Sequence, residues 1–458
     1  MNRPLTQRST LDLAALVRPD RVHRSVYTDP DIFELELGRL FGTAWLFVGH
    51  ESQVPNPGDF YTTRLGRQPI LMVRHHDGKV RVLHNRCAHR GAVVCPAEAG
   101  NARHFQCGYH GWTYGTDGAL TGVPRQEGYD ERFAAERDDL GLRPVARQGD
   151  YRGFIFASLS EDGPDLEAWL GDIATSFDDM VDRAPGGEIE VAGGVFKHTY
   201  DGNWKLYIEN VNDLMHPAFV HASSIETASK QRMDAPTDGA GEIAIRQMIQ
   251  NGVLAKIWDN VGVWAYDGGH SYMGDYHDDE RLLAASDDPV FVEYRKALEA
   301  AQGAKRTREI LSVSRFNTVV YPNLTFMSSF RQLRVILPVA PDKTEVHIYS
   351  FRLKGAPEAM FHDTVRFANA INSPASQILT DDLEIYRRIR DGLLSEGSEW
   401  LHIGRGEGHD VADEDGAHHG NHGTSEIHIR NQFKAWLDYM SPPGAIGGAA
   451  SGGGDAGA

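Results

Sequence analysis

The sequence predicts an α+β protein in which an all-β module precedes a larger domain, an antiparallel sheet covered by helices. Three observations carry this. Between Asp59 and Leu159 the chain breaks into short apolar runs, such as Ile70–Arg74 and Val80–His84, joined by turn residues such as Asp77-Gly78. After Pro164 further strand-like runs recur without a regular βα alternation, which argues against a parallel sheet. Helical spacing marks the segment ahead of the module and several segments behind it.

Taken in order, residues 25–47 carry Ile32, Leu35, Leu37, Leu40, Phe41 and Trp45 behind the start signal Asp29-Pro30. They read as one amphipathic helix. It belongs to an N-terminal helical segment, 1–44, expected to pack on the larger domain. Pro55, Pro57 and Gly58 follow as breakers. The β module spans 45–163, with Tyr151–Leu159 as its last strand, and Leu166–Val181 beyond it has helical spacing. The larger domain spans 164–440, with strands expected at Glu188–Tyr200, Glu242–Ile249, Arg315–Phe330, Leu333–Ala340 and Glu345–Leu353. The tail, 441–458, is mostly Gly, Ala and Ser and is expected to be disordered.

Composition excludes several classes. With 41% hydrophobic and 24% charged residues the chain is neither disordered nor fibrous. Its formal charge of −18 argues against broad nucleic-acid binding. No stretch reaches membrane-spanning length, and Met1–Arg24 lacks the apolar run of a signal peptide. Cys95 has no obvious disulfide partner, so a buried thiol in a reducing cytoplasm is expected. No Gly-x-Gly-x-x-Gly follows a strand, and there is no Walker loop and no His-Glu-x-x-His. Any redox chemistry carried by such a chain would take its electrons from another protein, a separate reductase or ferredoxin.

The strongest chemical signal is Cys87-x-His89 followed by Cys107-x2-His110, in a chain with 3 Cys and 21 His. Zinc modules usually pair Cys with Cys and His with His. Here each loop supplies one of each, which suits a [2Fe–2S] cluster with Cys87 and Cys107 on one iron and His89 and His110 on the other. Structural zinc is the alternative. Arg86, Arg90, Arg103 and His104 flank the pairs and form either a docking patch for an acidic electron donor or a set of solvated charges.

A second candidate site lies in the larger domain. Asn203–His216 reads as a helix, with Pro217 and then His221 behind it. In an unbroken helix His216 and His221 stand about 140° apart, so a break at Pro217 is needed to bring both imidazoles to one point. Two His and one carboxylate suit non-haem Fe(II) with open positions. The helix expected from Ser373-Pro374 supplies Asp382, which shares an apolar stripe with Ile378, Ile385 and Ile389 while Asp381 lies off it. Asp382 is therefore either a metal ligand or a partner of a nearby Arg. His409, His418, His419 and His422, within 402–428, are irregularly spaced and read as a solvated loop.

With Cys87-Ala-His89-Arg90-Gly91, Cys107-Gly-Tyr-His110-Gly111-Trp112, Asp213-x2-His216-x4-His221 and Asp381-Asp382, the chain resembles the large (alpha) subunit of Rieske non-haem iron aromatic ring-hydroxylating oxygenases across residues 25–440. The resemblance implies a Rieske [2Fe–2S] module ahead of a catalytic domain holding mononuclear Fe(II) on His216, His221 and Asp382. It implies that Asp213, on the same helical side as His216, accepts hydrogen bonds from His216 and from His110 of a neighbouring chain. It also implies a reductase or ferredoxin donor, a homotrimer or α3β3 assembly with a small beta subunit, and O₂-dependent conversion of an aromatic substrate to a cis-dihydrodiol. A Rieske monooxygenase or O-demethylase, and a pure electron-transfer protein, are the alternatives. Met215, Phe219, Val220, Phe316, Phe326 and Phe330 are apolar pocket candidates against a favoured reading of ordinary core. Arg331 and Arg334 are available to a carboxylated ring, or are surface residues.

Overall fold

The computed structural model describes residues 12–234, 248–249, 258, 260–275, 288–313, 315–413, 417–420 and 422–441. The expected single helix is interrupted: a one-turn helix, Ser25–Thr28, ends at the extended Asp29, and the longer helix α1 is Pro30–Thr43. The Asp29 side chain accepts from the Asp31 and Ile32 amides, and Pro30 occupies the first turn, where its missing N–H costs nothing. The expected helix to residue 47 is too long. Ala44 turns extended, Trp45 buries its ring and donates from Nε1 to the Pro164 carbonyl, and Leu46–His50 is a strand buried along its whole length.

The β module contains a four-stranded antiparallel sheet in the order Val80–His84, Gln68–Arg74, Asp59–Leu65, Ala99–Asn101. Gly78, at φ +83°, makes the turn at Asp77-Gly78. Leu71 and Val73 face a core that includes Cys87, Cys107, Trp112 and Tyr114. Ile70 and Met72, on the opposite face, join a core containing Tyr200 and Trp204 of the larger domain. Burial on both faces explains the unbroken apolar run Ile70–Val73 and ties the two parts together. Phe154–Ser158 falls within the expected last strand and pairs with Leu46–His50.

Among the described residues, the larger part is built on a nine-stranded sheet. Its order is Ile189–Tyr200, Lys343–Leu353, Gln332–Ala340, Leu324–Met327, Asn317–Val320, Ser271–Asp275, Val261–Ala265, His418–His419, Val411–Ala412. Every pairing is antiparallel. The expected single strand over Arg315–Phe330 is a pair of strands, because Pro322 has no N–H to continue a ladder. The strand expected at Glu242–Ile249 lies outside the described residues except Met248 and Ile249, which are helical. The tail lies outside them from residue 442.

Helices α2 (Trp204–Val211), α3 (Pro217–Val220), α4 (Ala222–Asp234), α5 (Gln377–Leu393) and α6 (Ile427–Met440) follow in chain order. Residues of α2, α5 and α6 share a core with Ile336, Val346 and Ile348 of the sheet. The sheet's other face meets Phe177, Tyr294 and Leu298. The described part of the 402–428 segment is not wholly a solvated loop, although His409 and His418 are exposed. It supplies two sheet strands, and its His428 is buried and contacts the Glu209 carbonyl at 3.1 Å. Among the described residues no helix is long and apolar enough to cross a membrane.

Candidate metal centres

The two Cys-His loops have the same backbone design. The Cys87 amide donates to Ala92 O and the Gly91 amide to Cys87 O; the Cys107 amide donates to Trp112 O and the Gly111 amide to Cys107 O. Gly91 and Gly111 close the turns at φ +76° and +72°, in the region that glycine adopts without penalty. Each loop thus presents its Cys and its His from one tight bend. The rings of His89 and His110 stand 4.5 Å apart, and His89 stacks on Trp112 at 4.9 Å. Cys87 and Cys107 are buried and free of disulfides, and His89 Nδ1 is buried without a hydrogen-bond partner among the described residues. Two free thiols beside an orphaned imidazole nitrogen fit a [2Fe–2S] cluster of mixed ligation. The Tyr114 hydroxyl lies 3.1 Å from Cys87 Sγ. Arg86, Arg90, Arg103 and His104, which flank the pairs in sequence, are all exposed, and Cys95 is a buried thiol whose pKa burial raises.

The structure brings His216, His221 and Asp382 together. One ligand atom from each lies within 4.8 Å of the others, with His216 Nε2 and His221 Nε2 at 3.8 and 3.5 Å from Asp382 Oδ1. The break that permits this is earlier than expected. Helix α2 ends as Asn212 leaves helical geometry, while His216 itself is αR and precedes α3, whose first residue is Pro217. Proline at a first helical position is tolerated, so it starts a helix here rather than breaking one. Asp213 is accordingly not on a shared helix with His216. Its Oδ1 accepts from the Met215 and His216 amides, and its main-chain carbonyl, not its carboxylate, meets His216 Nδ1 at 2.7 Å.

Helix α5 begins three residues later than expected, capped by Ser376, whose side chain accepts from Leu379 N, and it buries Ile378, Asp382 and Tyr386 on one stripe. Asp381, off that stripe, has a role that the periodicity could not indicate. Its Oδ2 lies 3.4 Å from His221 Nδ1 and accepts from Ser224 Oγ at 2.8 Å. Oxygen acceptors on both Nδ1 atoms fix the tautomers and leave both Nε2 lone pairs facing the same carboxylate oxygen. Asn210 donates from Nδ2 to that oxygen at 3.2 Å. Burial raises the Asp382 carboxyl to about 7 and lowers His216 to about 4. Such a set, costly when left without a cation, fits a divalent metal, whose charge favours the ionised carboxylate and neutral imidazoles.

Two family models match this chain, a Rieske [2Fe–2S] domain over residues 44–134 and the catalytic domain of the ring-hydroxylating alpha subunit over residues 167–441. The chain belongs to the ring-hydroxylating alpha subunits. The oxygenase is 35% identical over 383 residues to toluate 1,2-dioxygenase subunit alpha from Pseudomonas putida, covering 82% of this chain and 80% of that one. The 2-halobenzoate 1,2-dioxygenase large subunit of Burkholderia cepacia is 32% identical over 86% of this chain and 82% of its own. Naphthalene 1,2-dioxygenase from Rhodococcus sp. bound to indole matches with a TM-score of 0.74 at 26% identity, covering 92% of this chain and 94% of that structure. The protein is an oxidoreductase with a Rieske [2Fe–2S] domain and a catalytic domain of the mononuclear-iron type.

In the oxygenase His216, His221 and Asp382 line a cavity of about 680 Å³, within the range of small-molecule sites. Of the apolar candidates, Phe316 and Phe330 line it. Phe326 is core on the sheet's other face, Phe219 is 70% exposed, and Met215 packs its sulfur against Arg405. Val220 is half-buried and does not line the cavity. Arg331 and Arg334 are not surface residues: both line the cavity, as does Arg183.

Proposed function

We propose that this chain is the terminal oxygenase component of an aromatic-ring dioxygenase acting on an aromatic acid, with His216, His221 and Asp382 holding its iron and Cys87, His89, Cys107 and His110 holding its cluster. One observation carries the reading: two imidazole nitrogens and a carboxylate oxygen converge within 4.8 Å on the wall of a largely apolar cavity. The substrate class follows the names of relatives that act on toluate and 2-halobenzoate. Held by these three side chains, Fe(II) would supply the reductive activation of O₂ next to the substrate. Asp381 and the Asp213 carbonyl orient the imidazoles, Asn210 orients Asp382, and the apolar wall excludes water.

Dihydroxylation consumes O₂, two electrons and two protons per ring. The electrons arrive one at a time from a reductase or ferredoxin, for which Arg86, Arg90, Arg103 and His104 form the docking patch. The assembly is a trimer of this chain, with or without a small beta subunit, in which His110 of one copy meets Asp213 of the next. Two features support it. Tyr109, beside His110, is 61% exposed and Phe219, beside His216, is 70% exposed. Asp213 uses Oδ1 for its amide bonds and leaves Oδ2 without a hydrogen bond among the described residues. The compartment is the cytoplasm, in keeping with the free thiol of Cys95.

Asp213→Asn keeps the oxygen that caps Met215 and His216, so both metal sites are expected to persist while turnover falls by about 100-fold or more. Single-turnover reoxidation of the reduced cluster in the presence of O₂ and substrate checks this. The reaction itself is tested with isotopically labelled O₂, a reductase and benzoate. Both labelled atoms in one diol product are expected. One atom indicates a monooxygenase, and reduction of the cluster without any oxygenated product indicates an electron carrier.

A further inference from the structure

Among the described residues, Arg183, Arg331 and Arg334 line the oxygenase cavity, and their partners differ in kind. Arg183 pairs with Asp179 at 2.8 Å and also donates to the Ile310 and Val313 carbonyls. Arg331 donates to Thr364 Oγ1 at 2.6 Å and to the Ser329 and Met360 carbonyls, holding together the turn it ends. Both are occupied by the fold. Arg334 is not. It is 7% exposed, and among the described residues it makes no ion pair. Its contacts are a long 3.4 Å bond to Asn317 Oδ1 and the sulfur of Met327, a weak acceptor. Among the described residues its Nε is buried without a hydrogen-bond partner.

A buried cation with unfilled donors is costly unless a ligand completes it. Here the missing partner has a definite chemistry. The guanidinium fork matches a carboxylate bidentately, while the apolar part of the wall, including Leu214, Met273, Phe316 and Ile378, suits an uncharged ring. Asp382, on the same wall, already has a hydrogen bond from Asn210 and faces both imidazoles, and it stands beyond ion-pair distance of Arg334.

We propose that Arg334 is the specificity-determining residue of this cavity and binds the carboxylate of an aromatic monocarboxylic acid through its unfilled donors. This rests on the ring-dioxygenase reading above and adds which side chain selects the substrate. A hydrocarbon of the same size would leave the guanidinium unpaired, so the site discriminates for the acid by the cost of a buried, unsatisfied charge.

The test measures calorimetric affinities of the iron-loaded holoenzyme, under anaerobic conditions, for benzoate, benzamide and toluene, with O₂ uptake and product analysis alongside. In the unmodified enzyme benzoate is expected to bind at least about 30-fold more tightly than benzamide, its neutral isostere. In Arg334→Gln the affinity for benzoate is expected to fall by about 30-fold or more, with toluene changed less than about 3-fold. Arg334→Lys, which keeps the charge but not the fork, falls between them. Equal binding of benzoate and benzamide by the unmodified enzyme overturns the proposal even if no variant folds. So does unchanged benzoate affinity in Arg334→Gln, or parallel loss of benzoate and toluene. An unmodified enzyme that oxidises toluene but neither binds nor oxidises benzoate sinks this inference alone. One that oxidises no aromatic ring at all sinks the function it rests on.

Discussion

The two metal-binding regions of this chain are built in opposite ways. The candidate cluster region takes its four proposed ligands from one short stretch, Cys87 to His110, through two loops that repeat the same pair of backbone hydrogen bonds and the same positive-φ glycine. The iron region joins Asp382 to imidazoles more than 150 residues earlier and depends on α5 packing against the segment behind α2. The first is placed by local turns. The second is placed by tertiary packing, and its three candidate ligands, His216, His221 and Asp382, are steered by Asp381, Asn210 and the Asp213 carbonyl.

This contrast can be broken in each region separately. The largest effect is expected from Asp381→Ala, which releases His221 Nδ1 and Ser224. Iron affinity should fall by about 10- to 100-fold with the visible spectrum of the cluster unchanged, as measured by iron titration of the reduced protein. A change in the cluster spectrum would show that the regions are not independent.

A smaller effect concerns how the iron side is held. Glu209 is buried, accepts from Tyr27 Oη at 2.9 Å and from Gln432 Nε2 at 3.2 Å, and burial raises it to about 7 from an ordinary 4.5. The native state therefore binds this proton more tightly than the unfolded chain. The stabilisation is fully present below pH 4.5 and is lost as pH rises through about 7. Glu209→Gln should remove that loss and gain about 2 kcal/mol at pH 8 relative to pH 5, because a neutral side chain no longer has to ionise. Denaturant midpoints at the two pH values check it. The cluster region, held mainly by backbone turns, should contribute little to that slope.

The smallest effect belongs to the cluster. Tyr114→Phe removes the hydroxyl 3.1 Å from Cys87 Sγ, so the reduction potential should fall while the cluster stays assembled, as followed by redox titration. No change in potential would mean that this contact does not act on the sulfur.

The same contrast explains what the amino-acid sequence could and could not disclose. The Cys-x-His and Cys-x2-His pairs were legible because each depends on one bend with glycine two or one residues beyond its histidine. Asp382 was legible as a charge on the stripe with Ile378, and Tyr386 shares that buried face. Asp381 was not, since a residue off the stripe looks solvated until His221 is folded against it. The end of α2 at Asn212 was hidden because Leu214 and Met215 continue an apolar spacing after the helix has stopped. The edge of the great sheet was hidden for a similar reason: His418–His419 pairs with Trp264 and Ala265 in a segment that composition marks as loop. The distinction between Arg331 and Arg334 lies wholly in the partners that the fold supplies to one and denies to the other.

Counting iron and acid-labile sulfide on the purified protein and on Asp382→Ala tests the two-centre account most directly. The intact protein should carry about three irons and two sulfides per chain, two irons in the cluster and one at the His216, His221 and Asp382 site. Asp382→Ala should fall to about two irons with both sulfides retained. Two irons in the unmodified protein after iron loading, or the same iron content in both proteins, would contradict the account.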